Sequence, residues 1–440
     1  MKKLFLSFLL MLLPTIASAE TVEIDGIWYN LVSKVQEAEV TKNPRKYKGN
    51  IEIPISVNYN DVEYSVTSIG ESAFRDCNGL ISVTIPSSIK SIGQWAFALT
   101  GTLTSVTFPK NLTSIGMYAF CLCNGLTSIT IPDGITNIEG AVFMECRGLT
   151  SVTIPNSVEI IGADAFYGCS SLTSIDIPNS VANIEGEAFY GCSSLTSLTI
   201  PSSVASIGTK TFKGCSSLTT INIPNSITSI GEYAFDGCRK LTSIAIPKGV
   251  KLIGEQAFAN CDELTDVYCM AEILSKVFSW SYYEGLYTYP NAFQNSYPQA
   301  MTLHVPAAFI ESYRSMEPWS LFKAIAALED GDNPEIKKCA TPEIIYANGK
   351  VSLSCETEGV DFISEVIVAD AKKYYESEFT LSQTYKITVY ATKVGYENSD
   401  VATREIVVEK EQTTLFGDLD KDGKVNVADH VKLSDIIMNQ

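Results

Sequence analysis

Six residues near the C-terminus have the types and spacing of a cation site. Asp418, Asp420, Asp422, Asn426 and Asp429 place side-chain oxygens at positions 1, 3, 5, 9 and 12 of a loop, and Lys424 at position 7 adds its backbone carbonyl. Calcium takes six to eight hard oxygen ligands, and a glycine at position 6, here Gly423, allows the sharp turn such a loop needs. Carboxylates crowded at alternate positions repel one another until a cation sits between them. Val431, Ile436 and Ile437 follow at spacings that suit a short helix. An acidic unstructured tail is the alternative reading, but it gives no role to Gly423 or to the apolar Val425 at position 8. The expected cofactor is Ca2+.

The rest of the chain holds little that does covalent chemistry. There are 2 histidines, His304 and His430, so a multi-histidine metal site is excluded and a histidine triad has no basis. No G-x-S-x-G, P-loop or H-E-x-x-H motif occurs, and the carboxylates are scattered rather than paired. With 50 acidic against 32 basic side chains the net charge is −18, which argues against nucleic acid or an anionic membrane surface as partner.

The elements that must position any site begin with an address. Met1-Lys2-Lys3 is basic, Leu4 to Leu13 is apolar, and Ala17-Ser18-Ala19 fits a small-x-small cleavage rule, so residues 1–19 read as a secretory signal peptide. Pro14 breaks the apolar run short of a membrane span, and none is expected in the mature chain. Loss of Lys2 and Lys3 takes the charge from −18 to −20.

A period of 23 organises the middle. Leucines recur from Leu80 to Leu264, prolines from Pro86 to Pro247 and phenylalanines from Phe74 to Phe258, each at that interval. In the unit Leu149 to Ser171, Val152 and Ile154 alternate with Ser151 and Thr153, the pattern of a half-buried strand. Pro155 ends it, and Gly162 permits a corner. Coils stacked about 4.8 Å apart make equivalent strands one parallel sheet, so the eight steps between the leucines span roughly 40 Å. Cys77, Cys123, Cys146, Cys169, Cys192, Cys215, Cys238 and Cys261 keep the same clock three residues after each phenylalanine, with Thr100 as the exception. Disulfides or metal are one reading. Stacked equivalents point alike rather than at one another, so a ladder of buried thiols is the expectation.

The LTSVTIP–SV–IG–AF–GC unit resembles the BspA-type leucine-rich repeats of cell-surface and secreted proteins of anaerobic bacteria. The resemblance runs from Val66 to about Tyr268. It implies a mainly β fold: a right-handed solenoid of 23-residue coils over 66–271, an N-terminal cap over 20–65 and a C-terminal cap with an aromatic-rich segment over 272–328. Gly26-Ile27-Trp28-Tyr29 and Leu303-His304-Val305-Pro306 resemble the family's cap sequences. After an acidic linker, 329–338, the short apolar runs of 339–410 resemble an immunoglobulin-like β-sandwich, in which pairing of Cys339 with Cys355 stays open. The calcium loop lies within 414–440, and Asp429 at position 12 makes it resemble a type I dockerin repeat. Dockerins carry two repeats that form a cohesin-binding face, and this chain shows one.

These readings imply a non-enzymatic secreted or cell-surface recognition or adhesion protein, with a host or microbial protein or glycan as ligand. A dockerin-like component of an extracellular glycan-degrading assembly, bound to a cohesin-like module, is the alternative. The candidate ligand residues are the outward strand positions Thr107, Thr130, Thr153, Asp176, Thr199 and Asn222, which read equally as solvated β-formers. Trp280, Tyr282, Tyr283 and Tyr287 form a second candidate, for which packing inside the cap is the competing reading.

Overall fold

The computed structural model describes residues 20–271, 287–289, 291–328, 340–347, 350–357, 361–368, 371–374, 378–380, 385–392 and 402–406. The expected signal peptide at 1–19, the expected linker at 329–338, the candidate calcium loop, Trp280, Tyr282, Tyr283 and Cys339 lie outside these residues. The described residues fall into two compact units, one through Leu328 and one from Ala340 onward.

The first unit opens with strands Glu20–Ile24 and Ile27–Val32, antiparallel about Asp25 and Gly26 at φ 49° and 82°. A two-residue hairpin turn of this hand needs positive φ at both positions. Strand Glu37–Val40 then pairs in parallel with Val62–Ile69, and Lys48–Glu52 pairs in parallel with Gly79–Thr84. The N-terminal segment therefore supplies the first rung of two separate parallel ladders. Its apolar edge is covered by strands instead of being left to water.

Both ladders climb by the sequence period. On the strand face Ser128, Ile129 and Thr130 sit opposite Ser151, Val152 and Thr153. On the second face Asn137–Ile138, Ile160–Ile161 and Asn183–Ile184 form consecutive rungs. Each repeat proline begins a turn between the faces, as where the Val158 N–H donates to the Pro155 carbonyl at 3.1 Å. The coil around Asp176 is the exception: no strand forms there, where an aspartate replaces the β-branched threonine of its neighbours. The corner glycine is a spatial requirement, since a Cβ on Gly116 would lie 2.6 Å from the Gln94 backbone nitrogen.

The third face is built of turns. The residues two before and two after each repeat phenylalanine have positive φ, from Ser72 and Asp76 at 56° and 57° to Gln256 and Asn260 at 51° and 53°. Between them the phenylalanine N–H reaches the next coil, Phe97 donating to the Ala119 carbonyl at 2.7 Å. The rings point inward and stack with centroids 4.9 to 5.7 Å apart and planes within 17° of parallel. Tyr47 extends the spine at one end, and Phe293, with Trp319 and Phe322 edge-on to it, closes the other. Among the described residues the one α-helix is Ile310–Arg314, in this closing segment.

The second unit has two antiparallel sheets. Glu343–Ala347, Lys350–Ser354 and Glu378–Thr380 make one; Ala371–Tyr374, Asp361–Val368, Tyr385–Thr392 and Ala402–Ile406 make the other. Ile344, Val351 and Leu353 from the first share a small core with Ile387, Val389 and Ile406 from the second.

Candidate ligand-binding face

The strand face carries its polar side chains in columns set by the ladder register. Thr107, Thr130 and Thr153 are exposed, as are Ser105, Ser128 and Ser151 beside them, while Val106, Ile129 and Val152 between them are buried. These six hydroxyls make no hydrogen bond among the described residues. The adjacent column differs. Thr150 and Thr219 donate their hydroxyls to the carbonyls of Thr127 and Thr196 one coil back, at 2.9 and 3.1 Å. One threonine column is thus spent on holding coils together, and its neighbour stays open to solvent.

The column does not stay exposed to its end. Asp176 and Thr199 are half-buried, and Asn222 is 7% exposed with its Nδ2 lacking a hydrogen-bond partner. This corrects the expectation that Asn222 faces outward. In Thr220–Asn222 the in–out alternation is lost, because Ile221 is half-buried while Asn222 is buried. Beyond it the same column holds Ala245, Tyr268 and His304, with the Tyr268 and His304 rings stacked at 4.4 Å. His304 Nε2 lies 3.0 Å from Asp266 Oδ1. Sequence reading missed this pair. Tyr268 and His304 are partners 36 positions apart, so the 23-residue clock does not find them across the inserted segment. Alignment of Leu303-His304-Val305-Pro306 with the repeat strand would have.

Tyr287 is not part of this face. Its strand, Tyr287–Thr288, pairs with Leu252–Ile253 and so belongs to the second ladder. The structure does not bring it together with the threonine column.

Near its N-terminal end the strand face opens into a groove of about 830 Å3, whose lining includes Ser82, Thr84, Ser105, Thr107, Phe108 and Lys110. Phe108 stands where other coils bury isoleucines such as Ile85, Ile131 and Ile154. Too large for that slot, it is half-buried, edge-on to Phe120 at 5.6 Å. An aromatic rim among hydroxyls can bind by apolar contact and by hydrogen bonds together.

The repeat cysteines are not reactive groups. The eight repeat cysteines are free and buried. From Cys123 to Cys261 each thiol donates to the carbonyl of the previous coil's phenylalanine, at 3.0 to 3.4 Å. Thr100, the exception in the series, does the same to Phe74 with its hydroxyl at 2.7 Å, and Ser296 does so to Phe258 in the closing segment. The position therefore calls for a small buried donor rather than for sulfur. Burial pushes the thiols up, to about 12 at Cys169 and Cys215, so the nucleophilic thiolate is absent near neutral pH. Cys355 in the second unit is also free, its thiol 3.0 Å from the Ala340 carbonyl.

The family model for the BspA type leucine-rich repeat region, in six copies, matches residues 55–173 and 159–284. Among solved structures the chain is similar to a leucine-rich cell surface protein from Faecalibacterium prausnitzii A2-165, with 26% identity, 71% of this chain and 96% of that one covered, and a TM-score of 0.33. It is similar to a leucine-rich repeat protein from Bacteroides ovatus ATCC 8483, with 25% identity, coverage of 70% and 100%, and a TM-score of 0.31. The pneumococcal vaccine antigen PcpA shares 19% identity over 71% of this chain and 99% of its own, with a TM-score of 0.39. No curated protein matches. The repeat model covers more than half of the sequence, over residues that build the two ladders, and the chain belongs to the BspA-type leucine-rich repeat family.

Proposed function

We propose that the protein is an exported, non-enzymatic recognition or adhesion protein that presents its strand face to a protein or glycan ligand. The observation that carries this reading is the run of uncommitted hydroxyls on Ser105, Thr107, Ser128, Thr130, Ser151 and Thr153, beside a threonine column that is hydrogen-bonded within the scaffold. A stacked solenoid holds such groups at fixed spacing with little conformational entropy left to lose on binding. Export rests on the N-terminal sequence, and among the described residues no helix is long and apolar enough to cross a membrane.

The test is a screen of the mature chain against a glycan array and a panel of extracellular-matrix proteins. A specific ligand is expected, and binding should be lost in Thr130→Arg/Thr153→Arg but kept in Ser114→Arg, which changes the second ladder. Binding unaffected by the arginine pair would remove the strand face as the site.

The second unit serves in this reading as an immunoglobulin-like spacer between the solenoid and the C-terminal loop. That loop binds one calcium ion through Asp418, Asp420, Asp422, Asn426, Asp429 and the Lys424 carbonyl. Titration calorimetry on the full mature chain tests it: Asp418→Ala should abolish the calcium heat, and no heat in the native-sequence chain at millimolar calcium would eliminate the site.

A further inference from the structure

The N-terminal segment holds a charge reversal that the strand-face reading does not use. Lys42-Asn43-Pro44-Arg45-Lys46-Tyr47-Lys48 carries four basic residues and no acidic one, in a chain of net charge −18. Folding brings the first coil against it. Lys46 Nζ donates to the Arg75 carbonyl at 2.8 Å, and a hollow of about 450 Å3 opens there, lined in part by Lys42, Asn43, Lys46, Ser72, Arg75 and Asp76. The Arg75 guanidinium lies 4.8 Å from the centre of the Trp95 ring, which fixes its plane. Asp76 cancels part of the charge, 3.5 Å from Lys46, but Lys42 makes no ion pair among the described residues.

The scaffold does not demand these cations. The position of Arg75, one after the repeat phenylalanine, is Ala98, Cys121 and Met144 in the next coils. A role in keeping the first strands soluble would be met by lysines anywhere on the exposed edge. Here they converge on a concavity, in the size range of small-ligand sites.

We propose that this hollow binds an anionic sugar, a sulfate- or carboxylate-bearing unit of an oligosaccharide. A guanidinium fork and two ammonium groups match either oxyanion, and the Asn43 amide can serve a neighbouring sugar hydroxyl. A concave site suits a projecting anionic group better than the flat surface of a membrane. Protein partners are anchored by large apolar or aromatic side chains, and of these the hollow offers Leu99 alone, while the exposed Val35, Ile55 and Ile81 lie outside it.

The test uses the full mature chain with three probes: a heparin-derived oligosaccharide, a hyaluronan oligosaccharide that carries carboxylates alone, and neutral dextran fragments. Binding to one or both anionic sugars is expected, weakened by salt and absent for dextran, and the pattern tells sulfate from carboxylate. Lys42→Gln/Arg75→Gln should lower affinity about tenfold or more, since two charge-assisted contacts are lost. Lys42→Gln alone, a change at an exposed side chain, should lower it about threefold, so the test does not depend on Arg75 variants folding. Lys90→Gln/Lys251→Gln removes the same charge elsewhere and should change affinity less than about twofold. An equal loss in that control, binding to phosphatidylglycerol vesicles but to neither sugar, or no binding to either anionic sugar would each overturn the proposal. Thr130→Arg/Thr153→Arg should leave it intact, which separates it from the strand-face reading.

Discussion

The inner spine and the outer strand face share one 23-residue clock, yet they use polar atoms in opposite ways. Inside, each phenylalanine carbonyl from Phe120 to Phe235 accepts the backbone N–H of its own coil's cysteine, Cys123 to Phe120 for example, and the thiol of the next coil. Outside, Thr107, Thr130 and Thr153 alternate with buried core residues and keep their hydroxyls open to solvent. A buried donor without a partner costs about 1–3 kcal/mol, whereas a solvated one costs nothing, so repeat drift is restrained inside and free outside. That is why the inner donor is cysteine, threonine or serine and little else. The outer position drifts to Asp176, Ala245 and Tyr268.

Four measurements can break or sharpen that contrast. Phe166→Ala removes a ring stacked between Phe143 and Phe189, and should cost about 3–5 kcal/mol in chemical denaturation. An effect under about 1 kcal/mol would mean that the spine is not the core.

Alkaline pH acts on the same region. The folded chain holds the Cys169 and Cys215 protons to about 12, whereas an unfolded thiol releases its proton near pH 8.5. The stability they contribute is complete below about pH 8.5 and is lost as pH rises towards about 12, by roughly 1.4 kcal/mol per pH unit for each thiol. Melting curves between pH 8 and 10.5 should show the decline, less steep in Cys169→Thr. A flat profile would contradict burial.

Cys169→Ala leaves the Phe143 carbonyl without its second donor and opens a small void, a loss of about 1–2 kcal/mol. Cys169→Thr keeps a donor, as Thr100 does, and should cost less. The reverse order would show that sulfur itself is required. Smallest of all, Thr153→Ala on the outer face should stay within about 0.5 kcal/mol.

Much of the fold was legible because a strict period fixes register: once the leucines and prolines are aligned, the rungs of both ladders follow. The buried thiols were legible for the same reason, although their acceptor was not, since a bond from Cys123 to Phe97 spans 26 residues and appears only when coils stack. The paired left-handed residues flanking each phenylalanine were hidden too. Glycine marks them at Gly168, Gly191, Gly214 and Gly237, but Leu99, Leu122 and Glu145 hold the same conformation without any sequence signal. Where the period fails, so did the reading. Tyr268 and His304 stack across the inserted segment, and Asn222 turns inward at a coil whose spacing is regular. In the second unit the strands at Ile344, Val351, Tyr385 and Arg404 were visible as apolar runs. Ala371–Tyr374 and Glu378–Thr380, short and broken by charge, were not, and Asp361–Val368 was missed although it is mostly apolar.

The central claim is that the inner ladder is sealed and reduced while the outer face stays open, and thiol counting on the mature chain tests it most directly. Of the 12 cysteines, the native protein should expose Cys355 and at most Cys339 to a thiol reagent within minutes. In denaturant without reductant all 12 should react, Cys355 being free in the fold. Rapid native labelling of several repeat cysteines, or fewer than 12 thiols after denaturation, would contradict the account.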